Sequence, residues 1–586
     1  MSRLRLLLLA IALPLLARAE IQYKVTPLPE SNQLRVEITA PVDSSSEVSF
    51  QMPNWAPGSY RLVDHYDRVR DLKITDEIGN ELAPTQPNKY TWTVPTAGKT
   101  TVKVAYLLAS AVIDGAMHYS GPSTYMYVVG RKGEATKLEV ALPAGWSIAT
   151  GLDEDGSKNR FTAPDFDVLA DNPVSLGDLL IDTYTLRGKP HFIVMRGAAK
   201  ADVDRANLLK ACRQVTESQA DFFGGLPYNK YIWHFSVNDS PDGAGGLEHL
   251  SSTQIGLASG VGPRVVSVLS HEFFHLWNVK RIRSKALGPF DYTQLPKTGA
   301  LWWLEGVDDY YANLLLFRYG AWSESQWHRS VVGNLSGVRG NPARMEISPH
   351  DASLRVGEAA NGRGNSNGFR ISYYNTGFLV GLCLDIEMRA RTNGRRSLDD
   401  VMKALWQLCK GGKPGFEEDE IRKQLVRFGG PGMGDFYDRI VMTPGELPVE
   451  EQLAKVGLKL AQGPESFADH GILWFASKAN GGARVRIAQG PAEGNLMPDD
   501  TILAINGRST ELKTNKDISL VMQAELDKAK MGQAIALKVK RGEATMDISV
   551  IPAAGTRTVW QITPLEDTPD QKRLRMGWYY AGKRKP

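Results

Sequence analysis

The stretch SVLSHEFFHLWNVKRIRS, Ser267 to Ser284, carries two histidines four residues apart with a glutamate directly after the first. On a helix, residues four apart lie one above the other, so His271 and His275 present two imidazoles to one point. Glu272 is rotated away by one residue, and its carboxylate falls beside that point. This is the H-E-x-x-H arrangement, in which the histidines bind zinc and the glutamate handles the protons of an attacking water. The local pattern is helical: Gly262-Pro263 gives a breaker and then a first-turn proline, and Val265, Val266, Val268 and Leu269 form an apolar side. The competing reading is a pair of satisfied core imidazoles, and a third ligand elsewhere decides between the two.

A catalytic zinc takes three protein ligands and keeps one position open. Glu305, in LWWLEGVDDYY, stands thirty positions after His275 on a second helix and completes a His-His-Glu set. Bulky apolar neighbours surround it, and a buried carboxylate without a cation is costly. Asp309, four residues further on the same face, is placed to accept a ring N–H from a zinc histidine and fix its tautomer. Two other segments fill the remaining roles. GAGGLEHLSST, Gly243 to Thr253, has glycines, Gly245 and Gly246 among them, that let a substrate backbone approach closely. ISYYNTGFLVGLCLDIEMRA, from Ile371, opens a long helix with Tyr373 and Tyr374, and a tyrosine hydroxyl there is placed to donate to an oxyanion.

At 586 residues the chain is too long for one hydrophobic core, and 42% apolar with 23% charged is ordinary globular composition, so three or four domains are expected. MSRLRLLLLAIALPLLARA reads as a secretory signal over 1–19, with the mature chain starting near Glu20. This makes the expected setting secreted, in the periplasm, with no membrane span after cleavage. The formal charge of +4 includes Arg3, Arg5 and Arg18, leaving about +1 from Glu20 onward, which gives no reason to expect nucleic acid as a partner. Cys212, Cys383 and Cys409 are an odd, widely spaced set, read as mostly buried thiols with room for one disulfide.

Short β-rich runs broken by turns, such as QYKVTPL and QLRVEITAP, predict a β-sandwich over 20–187. Within it, PNWAPGSYRLVDHYDRVRDL is read first as framework and second as an active-site rim. From 188 to 447 strands alternate with amphipathic helices, beginning with Asp202 to Phe223, and predict an α+β catalytic region ending in a helical subdomain. A third unit spans 448–555. An extension over 556–586, with the basic end GKRKP, carries no readable chemistry.

HEFFHLWNVKRIR resembles the corresponding run of the zinc glycyl aminopeptidases that carry a PDZ domain, and the resemblance extends over nearly the whole mature chain. It implies a multidomain α+β fold: an N-terminal β-sandwich, a thermolysin-like catalytic domain with a helical subdomain, and a C-terminal PDZ domain. It implies one zinc per chain on His271, His275 and Glu305, with Glu272 as general base. It also implies kinship with the large zinc aminopeptidases, whose G-x-M-E-N motif holds the substrate amine and whose tyrosine three before a glycine stabilises the oxyanion. Those positions here read Gly245-Gly246-Leu247-Glu248-His249 and Tyr374-Asn375-Thr376-Gly377. Leucine and histidine replace the usual methionine and asparagine. The glutamate ligand of those relatives comes nineteen positions after the second histidine, where this chain has Gln294, a poor zinc ligand; that leaves Glu305 in a longer-loop variant. GPAEGNLMPDDTILAINGR resembles a bacterial PDZ domain, with Asp499 where glycine is usual.

The expected function is a zinc aminopeptidase releasing small N-terminal residues, glycine or alanine, from peptides with a free N-terminus. Glu248 anchors the α-ammonium, Tyr374 supports the oxyanion, and a peptide ligand of the PDZ domain is a further expected partner. An endopeptidase of the same fold, without need of Glu248, and a catalytically idle PDZ adaptor with structural zinc are the alternatives.

Overall fold

The computed structural model describes residues 20–42, 45–197, 204–237, 245–257, 261–357, 371–512 and 515–581. The signal at 1–19, the start of the expected helix at Asp202, Gly243 and the basic end of the chain lie outside the described residues.

Alternating apolar residues in IQYKVTPL make Ile21–Leu28 a strand with Ile21, Tyr23, Val25 and Pro27 buried. It pairs parallel with Thr136–Val140 and antiparallel with Gln33–Pro41 at the centre of a seven-stranded sheet. A four-stranded sheet built on Glu47–Gln51 and Thr91–Pro95 sends Phe50 and Val94 into the same core as Val36 and Tyr106. This is the β-rich N-terminal part.

A five-stranded mixed sheet follows, in the order Leu180–Leu186, Lys189–Met195, Tyr231–Val237, Ser252–Leu257, Gly245–Glu248. The helix Arg205–Phe223 starts at Asp204, whose side chain accepts from the Asn207 amide, and stops at Gly224 with φ +80°. Its buried residues Leu208, Ala211, Cys212, Val215, Gln219 and Phe222 recur at helical spacing. The helix Pro263–Phe274 packs on the strands Gly245–Glu248 and Ser252–Leu257 and on the helix Asp308–Arg318, which packs in turn on Tyr373–Arg391. All three cysteines are free and buried, so the expected room for a disulfide is not used.

The boundaries expected at 447 and 555 cut through continuous structure. Val449, Leu453, Val456 and Leu458 belong to the main core, and the strand Leu458–Asp469 pairs antiparallel along its length with Ala553–Pro564. This ribbon carries a unit with a separate core, including Ile472, Val485, Ile502, Met522, Leu537 and Val550. The chain then returns: in the helix Pro569–Tyr580, Trp578 Nε1 donates to Tyr310 Oη at 2.8 Å, and Arg318 Nε donates to the Trp578 carbonyl at 3.0 Å. The extension thus braces the helix Asp308–Arg318. No helix among the described residues is long and apolar enough to cross a membrane.

Candidate metal centre

Gly262 caps the helix Pro263–Phe274 and Pro263 opens it, and its last turn delivers His271 and Glu272, with His275 at the C-cap. The two imidazole centroids are 4.3 Å apart and their Nε2 atoms 2.9 Å apart. Glu305 Oε2 lies 3.2 Å from His275 Nε2 and 3.5 Å from His271 Nε2.

The opposite ring nitrogens face acceptors. His275 Nδ1 is 2.7 Å from the Asn278 carbonyl and 3.1 Å from Asp308 Oδ1. His271 Nδ1 is 2.9 Å from Asp309 Oδ1 and 3.3 Å from Asp308 Oδ2. Ring protons on Nδ1 leave two Nε2 lone pairs and one carboxylate oxygen converging, an acceptor-only group that is buried and suited to a cation. Burial alone would raise the Glu305 carboxyl, yet His275 and His271 hold it down to about 2. The donor set therefore fits zinc. Of the two acids, Asp309 comes nearer to His271 Nδ1. Asp308, fully buried between both histidines, is three residues after Glu305, a spacing as helical as Asp309's four.

Glu305 sits on a π-helical turn, Trp302–Val307, that leads into Asp308–Arg318, rather than on one uniform helix. Asn278 Nδ2 donates to the Trp303 carbonyl at 3.1 Å, so the residue that receives the His275 ring proton also holds this turn. Gly306 packs on the helix Tyr373–Arg391: a Cβ there would lie 2.5 Å from Gly377 Cα. That contact draws the helix start to the site, with the Tyr374 ring centroid 6.0 Å from His271. Burial and then Glu305 push the Tyr374 hydroxyl well above its usual range, which keeps its proton available for donation.

Glu272 is buried, and burial pushes its carboxyl up to about 8 with the two histidines opposing. Its Oε2 has no hydrogen-bond partner among the described residues. A side chain at Gly246 would collide with it, which explains the glycine. Glu248, at the end of the edge strand Gly245–Glu248, is 4% exposed. One ligand atom each from Glu248, Glu272 and His275 fall within 4.8 Å of one another, the same limit met by His271, His275 and Glu305. Gly245 lies on the same strand and is exposed.

The run after His275 is scaffold. Lys280 Nζ donates to Asp171 Oδ1 at 2.7 Å, both buried, and Arg281 donates to the carbonyls of Leu276, Pro227 and Leu250 at 2.8, 2.8 and 3.2 Å. His249, where the related motif has asparagine, faces Asp171 at 3.3 Å and accepts from Gln254 at 2.9 Å. Asp171, from the β-rich part, thereby holds the strand that ends in Glu248.

The sequence reading ranked PNWAPGSY as framework first; the structure places it at the site. A Cβ on Gly58 would lie 2.6 and 2.7 Å from the Glu248 carboxylate oxygens. Tyr60 and Glu248 line the same cavity of about 1050 Å³, with Trp55, Phe290 and Lys280.

Residues 22–178 match the Peptidase M61 N-terminal domain and residues 264–380 the M61 glycyl aminopeptidase domain. An aminopeptidase N family protein from Idiomarina loihiensis has a similar structure, with a TM-score of 0.74 and 22% identity over 95% of this chain and 100% of that one. An M1 zinc metallopeptidase from Deinococcus radiodurans gives a TM-score of 0.46 and 13% identity over 73% of this chain and 94% of that one. No curated protein sequence matches. Two stretches of the chain thus match Peptidase M61 domain models, and the protein is a metallopeptidase.

Proposed function

We propose that this metallopeptidase is a zinc-dependent aminopeptidase that releases small N-terminal residues, glycine or alanine, from peptides. The observation that carries this reading is the position of Glu248, a buried carboxylate whose oxygen meets those of Glu272 and His275 within 4.8 Å. A carboxylate beside the reacting centre suits an α-ammonium one residue from the scissile bond.

His271, His275 and Glu305 would hold one zinc ion per chain. When bound there, zinc acidifies a water and polarises the peptide carbonyl. Glu272 takes the proton from the water and passes it to the leaving amine. Tyr374 donates its hydroxyl to the carbonyl oxygen as that atom gains charge. Gly246 leaves room for Glu272, Gly245 offers exposed backbone to the substrate, and Glu248 accepts hydrogen bonds from the ammonium group. Asp309 and Asp308 keep the ring protons on Nδ1.

The unit over 472–550 is proposed as a PDZ domain, supported by GPAEGNLMPDDTILAINGR and by its antiparallel sheet with the helix Asn515–Leu526. Leu473 and Phe475, exposed on the edge strand Ile472–Ser477, are where a peptide strand would add. A secreted, periplasmic setting is proposed from the first nineteen residues.

The test is a panel of aminoacyl chromogenic substrates assayed with metal content on the same sample. Glycyl and alanyl substrates should turn over, with activity and zinc lost together on chelation, and N-acetylated versions should resist cleavage. Equal cleavage of acetylated and free peptides would instead support the endopeptidase alternative.

A further inference from the structure

Tyr60 lies almost two hundred positions before Glu248, on the β-rich part, yet its side chain is in the same cavity. It is 3% exposed. Its φ of +46° is left-handed, a conformation that a bulky residue keeps only when its surroundings impose it, and such residues concentrate at functional sites.

The restraint is visible on both sides of the loop. The Asn54 amide donates to the Tyr292 carbonyl at 2.8 Å, the Val63 amide to the Asn54 carbonyl at 2.6 Å, and Trp55 Nε1 to the Asp291 carbonyl at 2.8 Å. The Trp55 ring stacks on Tyr60 with centroids 6.4 Å apart. Gly58, with φ +90° and no side chain, lets the loop close onto the Glu248 carboxylate.

Packing accounts for the Tyr60 ring but not for its hydroxyl, which has no hydrogen-bond partner among the described residues. Burial first, then the charges of Glu305 and Glu248, push its ionisation well above the usual range, so it stays a neutral hydroxyl on the cavity that Glu248 also lines. An α-ammonium presents three N–H donors, and a carboxylate held on one side leaves donors to satisfy. A neutral tyrosine oxygen accepts such a bond.

We propose that the Tyr60 hydroxyl binds the substrate's α-ammonium together with Glu248, so that the β-rich N-terminal part supplies one half of the amine site. This rests on the reading of Glu248 as the amine anchor. Tyr60 is then a substrate-binding residue, and Gly58 keeps Glu248 and the loop in contact.

The experiment compares two zinc-directed probes that differ in the amine, glycine hydroxamate and acetohydroxamate, by calorimetry on zinc-loaded wild-type protein and Tyr60→Phe. The ratio of their dissociation constants measures what the amine contributes. In Tyr60→Phe, zinc content, Tm and acetohydroxamate binding should stay as in wild type, while the amine's contribution falls about tenfold, the scale of one charge-assisted hydrogen bond. An unchanged ratio, or equal weakening of both probes, overturns the proposal, since the hydroxyl would then be idle or purely structural. If wild-type protein shows no preference for the amine-bearing probe, the Glu248 reading fails and this inference fails with it. A preference that Glu248→Ala abolishes and Tyr60→Phe leaves intact sinks the Tyr60 proposal alone.

Discussion

Both candidate zinc histidines depend on acids supplied by another element. His271 meets Asp309 and Asp308 through Nδ1, and His275 meets Asp308 and the Asn278 carbonyl, so each ring keeps its Nε2 lone pair directed at Glu305. Asp308→Asn should therefore weaken zinc affinity about ten- to a hundredfold without removing a ligand, measured by competition with a chromophoric chelator. Glu305→Gln should weaken retention further, because a donor itself becomes a neutral amide. Glu272→Gln separates binding from chemistry: the variant should hold a full zinc equivalent and lose several orders of magnitude in kcat. Glu248→Ala should keep zinc and lower kcat/KM for glycyl and alanyl substrates about tenfold to a few hundredfold, the worth of a charge-assisted hydrogen bond to the amine. An unchanged kcat/KM would remove the amine anchor from the reading.

Between residues and fold stand elements whose geometry departs from the regular. The π turn Trp302–Val307 widens the helix where Glu305 must face inward, and Asn278 takes up the Trp303 carbonyl. The helix Tyr373–Arg391 reaches the site through the Gly306–Gly377 contact, where any side chain would hold Tyr374 away. The segment after His275 ties the Pro263–Phe274 helix to the β-rich part through Lys280 and Asp171, a buried pair with both side chains 6% exposed. Lys280→Met should destabilise the protein by roughly 3–5 kcal/mol in urea unfolding, because it leaves Asp171 buried without its cation. A change under about 0.5 kcal/mol, the scale of an ordinary surface substitution, would mean that His249 and the Leu250 amide hold Asp171 unaided.

At the scale of the whole molecule, the chain leaves its catalytic core along Leu458–Asp469, builds the 472–550 unit, and returns along Ala553–Pro564 to seat Trp578, Tyr579 and Tyr580 in that core. Ending the chain at 556 should therefore abolish stable folding, while replacing 472–550 with a short glycine linker should leave zinc content and aminoacyl hydrolysis near wild type. Loss of zinc in the second variant would show that the unit supports the core after all. The helical part of the candidate site was legible because it is local: His271, Glu272 and His275 follow from spacing on one helix, whereas the π turn that carries Glu305 ahead of Asp308 and Asp309 leaves no mark in a spacing of four. The strands of the β-rich part were legible because apolar residues alternate along them. The extension past 556 looked empty because Gly577 and Trp578 acquire meaning only from Tyr310, Arg318 and Arg389, far earlier in the chain. PNWAPGSY looked like framework for the same reason, since nothing in a turn-rich β segment signals contact with a carboxylate almost two hundred residues away. The sequence by itself determined which side chains can converge on a metal, because helical periodicity acts over a few residues. Only the tertiary structure decided that Gly58, Tyr60 and Asp171 complete the ground around Glu248, because packing between segments far apart in the chain leaves no periodic trace along it.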